Sequence, residues 1–184
     1  MSLQASASQT VGPFFSIGMS WLYKSELFAG TERPQLTFEG RVLDGDGLPI
    51  VDALLELWQA DGEGRYAQAQ RGEDGEGGLR GFGRVATDEQ GRYRFRTIAP
   101  GRVPTQAGEP QAPHINVLVL MRGLLRSVRT RIYLPDQPDN AHDPVLLLLP
   151  EARRPTLVAA AIGPARFSWD VHMQGQHETV FFDF

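Results

Sequence analysis

The 184-residue chain contains no cysteine, which excludes disulfides, thiolate zinc sites and a cysteine nucleophile and leaves packing alone to hold the fold. It has no basic excess either: 18 Lys and Arg stand against 22 Asp and Glu, a formal net charge of -4. Without a positive field there is nothing to attract a phosphate backbone, so nucleic acid is not an expected partner. No apolar stretch approaches the ~20 residues that span a bilayer. The amino-terminal MSLQASASQT has no positive segment followed by an apolar core. The chain is therefore expected to be soluble and cytoplasmic, with no membrane partner. No G-x-S-x-G elbow frames a serine nucleophile. The acidic tract Gly72 to Gly78 (GEDGEGG) has the wrong charge to cradle phosphate and misses the spacing of a calcium loop.

What is abundant is punctuation. Twenty glycines and thirteen prolines shorten any helix and favour strands joined by turns. Leu36 to Leu43 (LTFEGRVL) alternates apolar and polar residues, Asp44 to Ile50 (DGDGLPI) supplies turn chemistry, and Val51 to Trp58 resumes an apolar run, the signature of a hairpin. Gly83 to Ile98 repeats it, with Asp88 to Gly91 as the turn and Tyr93, Phe95 and Thr97 on one face. Further strands are predicted at 114–121, 128–134, about 156–162 and 167–173. The length and this pattern predict one all-β domain over residues 1–184, a β-sandwich with long loops, and no internal repeat or linker. The first ~30 residues are aromatic but aperiodic and read as an extended arm that packs on something. Glu73 to Gly78 reads as a loop. Asp143 to Arg154 is either a strand or a short helix with proline in its first turn.

Four histidines and four tyrosines limit any histidine- or phenol-based site. His142, His172 and His177 read as solvated or hydrogen-bonded surface residues, and Tyr93 and Tyr133 as core aromatics with a polar end. Tyr66 lies in a loop directly after a strand, in Trp58 to Tyr66 (WQADGEGRY), a position where scaffolds carry function. His114 and Asn116 head the apolar run HINVLVLM and point to one face, because side chains alternate along a strand. His114 has a structural and a chemical reading, and the residues alone leave both open.

Three stretches, LWQADGEGRY (57–66), FRTIAPGRVP (95–104) and APHIN (112–116), together resemble the intradiol ring-cleaving dioxygenases over most of the chain. That family holds iron(III) between two tyrosines and two histidines, and phenolates suit a hard ferric ion. The resemblance puts Tyr66 at the first tyrosine position and His114 at the first histidine. Val103 stands where the second tyrosine belongs and Asn116 where the second histidine belongs. The four positions imply a vestigial site with no metal of its own.

Some members of the family pair two homologous chains, an iron-free alpha chain and an iron-binding beta chain. Three segments look like the alpha chain: SQTVGP (8–13), MRG (121–123) and the ending ETVFFDF (178–184). The resemblance implies that Fe(III) is bound by the beta chain, that a catechol and O2 are the substrates, and that Thr10, Gly12, Pro13 and Arg122 help to shape the partner's substrate pocket. The plainer reading of the same residues is that Gly12-Pro13 only sets a turn and that Arg122 only pairs with a local carboxylate. The competing expectation is a non-catalytic binding or assembly module, monomeric, with a polar surface around Tyr66 and His114. An apolar aromatic face built from Phe14, Phe15, Trp21, Phe181, Phe182 and Phe184 is the mark of the subunit instead.

Overall fold

The structure is a computed structural model that describes residues 6–12, 14–67, 80–105 and 109–183. Its strands are β1 (Gln35–Leu43), β2 (Leu54–Gln59), β3 (Phe82–Ala86), β4 (Arg92–Ile98), β5 (His114–Leu120), β6 (Val128–Tyr133), β7 (Ala160–Gly163), β8 (Arg166–Ser168) and β9 (Val171–His172). One sheet runs β4-β1-β8-β7 with β9 also on β1, and the other runs β3-β2-β5-β6. The pairings are antiparallel except where β8 and β9 lie parallel to β1. This is the expected all-β sandwich.

Alternation along each strand sends one set of side chains between the sheets. On β4, Tyr93, Phe95 and Thr97 are buried while Arg92, Arg94 and Arg96 are exposed. Phe38 of β1 stacks between Phe95 and Phe167 with ring centroids 5.1 Å away on both sides. Leu55, Leu57, Val117, Val119 and Ile132 meet these rings from the opposite sheet. Each such side chain contributes about 1.5–3 kcal/mol on burial. Gly40 occupies an inward position of β1 because a Cβ there would lie 1.8 Å from the Trp169 carbonyl oxygen, the same oxygen that accepts the Tyr93 hydroxyl hydrogen bond.

The two expected hairpins are corrected. Asp44 to Leu48 does form a turn, but it closes only a two-residue return, with Leu43 opposite Pro49 and the Ile50 N–H donating to Val42 O at 2.8 Å. The chain then passes through Asp52, at φ 59, into the other sheet, where β2 pairs with β3 and β5. Likewise the turn at Asp88 to Gly91 carries the chain from β3 in one sheet to β4 in the other. Turn chemistry marks where a chain reverses, and a corner between sheets needs the same residues as a hairpin within one.

A short pattern recurs, although no repeat was expected. In Asp44 to Leu48, Asp61 to Arg65 and Asp88 to Arg92, the aspartate carboxylate accepts two backbone N–H groups, two and four residues on. The fourth residue is a glycine in the left-handed region: Gly47, Gly64 and Gly91. It is a D-x-x-G-x turn used three times at strand ends.

Other expectations shift as well. The arm is not extended throughout: Phe14–Met19 is a short helix, α1, followed by a 3-10 turn at Ser20–Leu22. Leu27 and Phe28 are buried in the chain's own core. Phe181 and Phe182 also fold back onto the chain, so neither belongs to an exposed face. Asp143 to Arg154 is helical rather than extended, with 3-10 turns at Leu146–Leu148 and Glu151–Leu157, which delays the following strand to Ala160. The strand expected at 167–173 is divided into β8 and β9. Pro13, Phe184 and the loop at 73–78 lie outside the described residues.

Candidate functional site: a hydrogen-bonded tyrosine, histidine and arginine cluster

Tyr66 is aimed by the second D-x-x-G-x turn. Gly64 lies so close to the segment after β4 that a Cβ would sit 1.8 Å from the Arg102 carbonyl oxygen, and a Cβ on Gly101 would meet Gly62 and Gly64 backbone at 2.5 Å. This backbone-to-backbone contact sets Tyr66 beside Val103 in the wall of an open cavity of about 790 Å3, whose lining also includes Phe28 and Ile98 and the charged Arg33, Glu63 and Arg80. The Tyr66 ring stacks on Trp58 with centroids 6.0 Å apart. His114 opens β5, and Asn116 follows on the same face, level with Trp58 on β2 and Arg131 on β6.

These side chains touch. His114 Nδ1 lies 2.8 Å from Ala112 O; a carbonyl can only accept, so Nδ1 carries the proton and Nε2 is left as an acceptor. The Tyr66 hydroxyl, 3.2 Å away, donates to that Nε2. Asn116 Nδ2 donates to the Tyr66 oxygen at 2.9 Å and to Trp58 O at 3.3 Å, while Asn116 Oδ1 accepts from Arg131 Nε at 3.1 Å. Arg131 also donates to Gln111 Oε1 at 2.8 Å and to the Tyr133 oxygen at 3.4 Å. Tyr133 in turn donates to Asp143 Oδ1 at 3.1 Å. The fully buried Asp143 carboxylate further accepts the backbone N–H groups of Ala112, Val145 and Leu146.

Burial, reinforced by the Arg131 charge, holds the His114 pKa down to about 4, so the imidazole is neutral near pH 7. Burial pushes the Tyr66 phenol up, opposed by Asn116 and Arg131; burial also raises Tyr133. The site thus contains a neutral phenol, a neutral imidazole and a buried guanidinium.

Against a ferric ion this donor set fails. Tyr66 and His114 are spaced as neighbouring ligands about 2 Å from one ion would be, but each spends its polar atom on the other. Val103 has no donor atom and Asn116 offers an amide. Among the described residues no group of three or more His, Cys, Asp or Glu side chains is placed to hold a metal ion.

The residues assigned by resemblance to a substrate pocket lie elsewhere. Thr10 Oγ1 accepts the Gly123 N–H at 2.8 Å, tying the arm to the corner after β5. Arg122 is half exposed, its Nε 3.2 Å from Asp52 Oδ2, and so does pair with a local carboxylate. Gly12 is exposed, and its carbonyl accepts the Phe15 N–H at 3.0 Å. Arg122 follows the far end of β5, whose last residue, Leu120, lies roughly 20 Å from His114 at strand rise. The structure brings Tyr66, Val103, His114 and Asn116 together at one end of the sandwich, and Thr10 and the 121–123 corner at the other.

Sequence reasoning missed Arg131, Gln111, Tyr133 as a hydrogen-bonding group, and Asp143. Asp143 had a signal: an aspartate directly before Pro144 and a helical turn is a capping pattern. Arg131 had none short of the β5–β6 register.

The family model described as Dioxygenase matches residues 27–175. The chain is 43% identical to the protocatechuate 3,4-dioxygenase alpha chain of Burkholderia cepacia, over 99% of this chain and 98% of that one. It is 35% identical to the protocatechuate 3,4-dioxygenase beta chain of the same organism, over 77% of this chain and 59% of that one. Among solved structures, the dioxygenase domain of a dioxygenase carbohydrate-binding protein fusion from Streptomyces sp. SirexAA-E superposes with a TM-score of 0.64 at 26% identity, covering 83% of this chain and 88% of that one. The chain belongs to the intradiol dioxygenase family. Within it, the likeness to an alpha chain runs nearly end to end, whereas the likeness to a beta chain does not.

Proposed function

We propose that this chain is the iron-free alpha subunit of a protocatechuate 3,4-dioxygenase, assembled with a homologous iron-binding beta chain. The observation that carries the reading is the altered ligand set: Tyr66 and His114 remain at ligand positions but bond to each other, while Val103 and Asn116 cannot complete a ferric site. The reaction of the pair is intradiol cleavage of protocatechuate by O2, which breaks the bond between the hydroxyl-bearing carbons, adds both oxygen atoms to the product and yields 3-carboxy-cis,cis-muconate. Ferric iron in the beta chain supplies the Lewis acidity that draws electron density from the catechol.

This chain's share is to wall the partner's pocket with Thr10, Gly12, Pro13 and Arg122. The Thr10 to Gly123 hydrogen bond fixes the arm beside Arg122. Arg122 engages Asp52 through Nε, and a guanidinium has further N–H donors with which to meet a substrate carboxylate. The amino-terminal surface favours a subunit over a monomeric module: Phe14, Ile17 and Trp21 are 80%, 65% and 79% exposed. Such an apolar strip is costly in water and is suited to burial against another chain. Mixing the purified chain with an iron-loaded beta chain and assaying ring cleavage tests the proposal. The chain alone should be inactive, and cleavage by the mixture should exceed that of the beta chain by itself. Ring cleavage by this chain alone, or no gain on mixing, contradicts it.

A further inference from the structure

We infer that Arg131 is the resident cation of this remnant site and bars a metal from it, so that restoring ligands at positions 103 and 116 does not restore a ferric centre while Arg131 stands. The inference concerns this chain's own pocket and holds whether or not the chain pairs with a beta chain.

The direction of the hydrogen bonds carries it. A guanidinium can only donate. Arg131 Nε donates to Asn116 Oδ1, and this fixes which way the Asn116 amide points. Asn116 Nδ2 must then donate to the Tyr66 oxygen. Tyr66, already accepting, turns its own proton onto His114 Nε2, and His114 passes the last proton to the Ala112 carbonyl. Every proton in the series runs away from Arg131. A metal at this place needs the reverse arrangement, with lone pairs of Tyr66 and His114 converging on one point and the phenol deprotonated.

The charge points the same way. Arg131 is only 8% exposed, and among the described residues no carboxylate forms an ion pair with it; the nearest carboxylate in the network, Asp143, is reached only through Tyr133. The site answers one positive charge with neutral acceptors: Asn116 Oδ1, Gln111 Oε1 and the Tyr133 oxygen. A ferric ion between Tyr66 and His114 would place three more positive charges within two side-chain contacts of the guanidinium, with repulsion as the result.

The test compares three full-length chains that all carry Val103→Tyr and Asn116→His: one keeps Arg131, one adds Arg131→Gln and one adds Arg131→Lys. Fold is checked for each by circular dichroism and thermal melting. Ferric iron is then added, and binding is read from metal content and from the visible phenolate-to-iron absorption. The expected result is iron binding at least about tenfold tighter with Arg131→Gln than with Arg131 kept, and no gain with Arg131→Lys, which retains the charge. Equal binding by the chain that keeps Arg131 and the one with Arg131→Gln overturns the inference. So does a gain with Arg131→Lys equal to that with Arg131→Gln, or failure of all the folded variants to bind iron.

Discussion

At His114, burial and a neighbouring positive charge act in the same direction, and the consequence is measurable as a dependence of stability on pH. The folded pKa is about 4, against ~6.5 in an unfolded chain. Between those values the unfolded state binds more protons than the folded one, so stability rises with pH across the window. It is fully present above about pH 6.5 and is lost as the pH falls toward 4. The contribution is up to about 3 kcal/mol. Urea unfolding of the wild type and His114→Gln at pH 4.5 and 7 checks this, and the variant should lose most of the difference. At the other end of β5, Arg122→Ala should weaken binding of a carboxylated catechol by the assembled enzyme more than binding of catechol itself, by roughly 1–3 kcal/mol. An equal effect on the two ligands would remove the carboxylate role. At this scale strand alternation put His114 and Asn116 on one face and the family resemblance grouped them with Tyr66 and Val103, and in the structure Tyr66 bonds to both His114 and Asn116. It was silent on Arg131. In VRTRIY nothing separates a buried arginine from a solvated one until Asn116 is found opposite it.

The elements show a similar division. Strand positions were legible wherever alternation was strict, as in β1, β4 and β5, and Tyr93, Phe95 and Thr97 share the buried face expected of them. Strand partners were not legible, because the turns at Asp44 and Asp88 connect opposite sheets and local residues do not encode which sheet receives the chain. The D-x-x-G-x turn at Asp61 to Arg65 is the element on which the placement of Tyr66 depends. Gly64→Ala would combine a φ of 80° with a Cβ pressed on the Arg102 carbonyl, so it should destabilise the fold by about 1–3 kcal/mol. It should also displace Tyr66, which quenching of Trp58 fluorescence would report. The arm depends less on its own core: residues 6 to 12 are nearly all exposed and are tied down by Thr10. Deleting residues 1–13 should therefore leave the melting temperature of the isolated chain almost unchanged. Turnover by the reconstituted enzyme should nevertheless fall, because the partner's pocket loses a wall and its exclusion of water. Unchanged turnover would contradict the pocket role.

The whole molecule combines a well-packed sandwich with a polar hydrogen-bonded cluster at one end and an arm-bearing corner at the other. Phe38, Phe95, Leu55, Leu57 and Val119 are all fully buried, so apolar packing holds the sandwich, and the polar groups of Tyr66, His114 and Asn116 bond to one another. The exposed strip on α1 and the following turn is the feature that the isolated chain leaves unexplained and an assembled pair explains. Metal analysis of the chain co-purified with an iron-binding beta chain tests this most directly, read together with the visible spectrum before and after Tyr66→Phe in this chain. A single ferric ion for each pair of chains is expected, with a spectrum that Tyr66→Phe leaves unchanged. Two ferric ions for each pair, or loss of the phenolate-to-iron absorption on Tyr66→Phe, would contradict it.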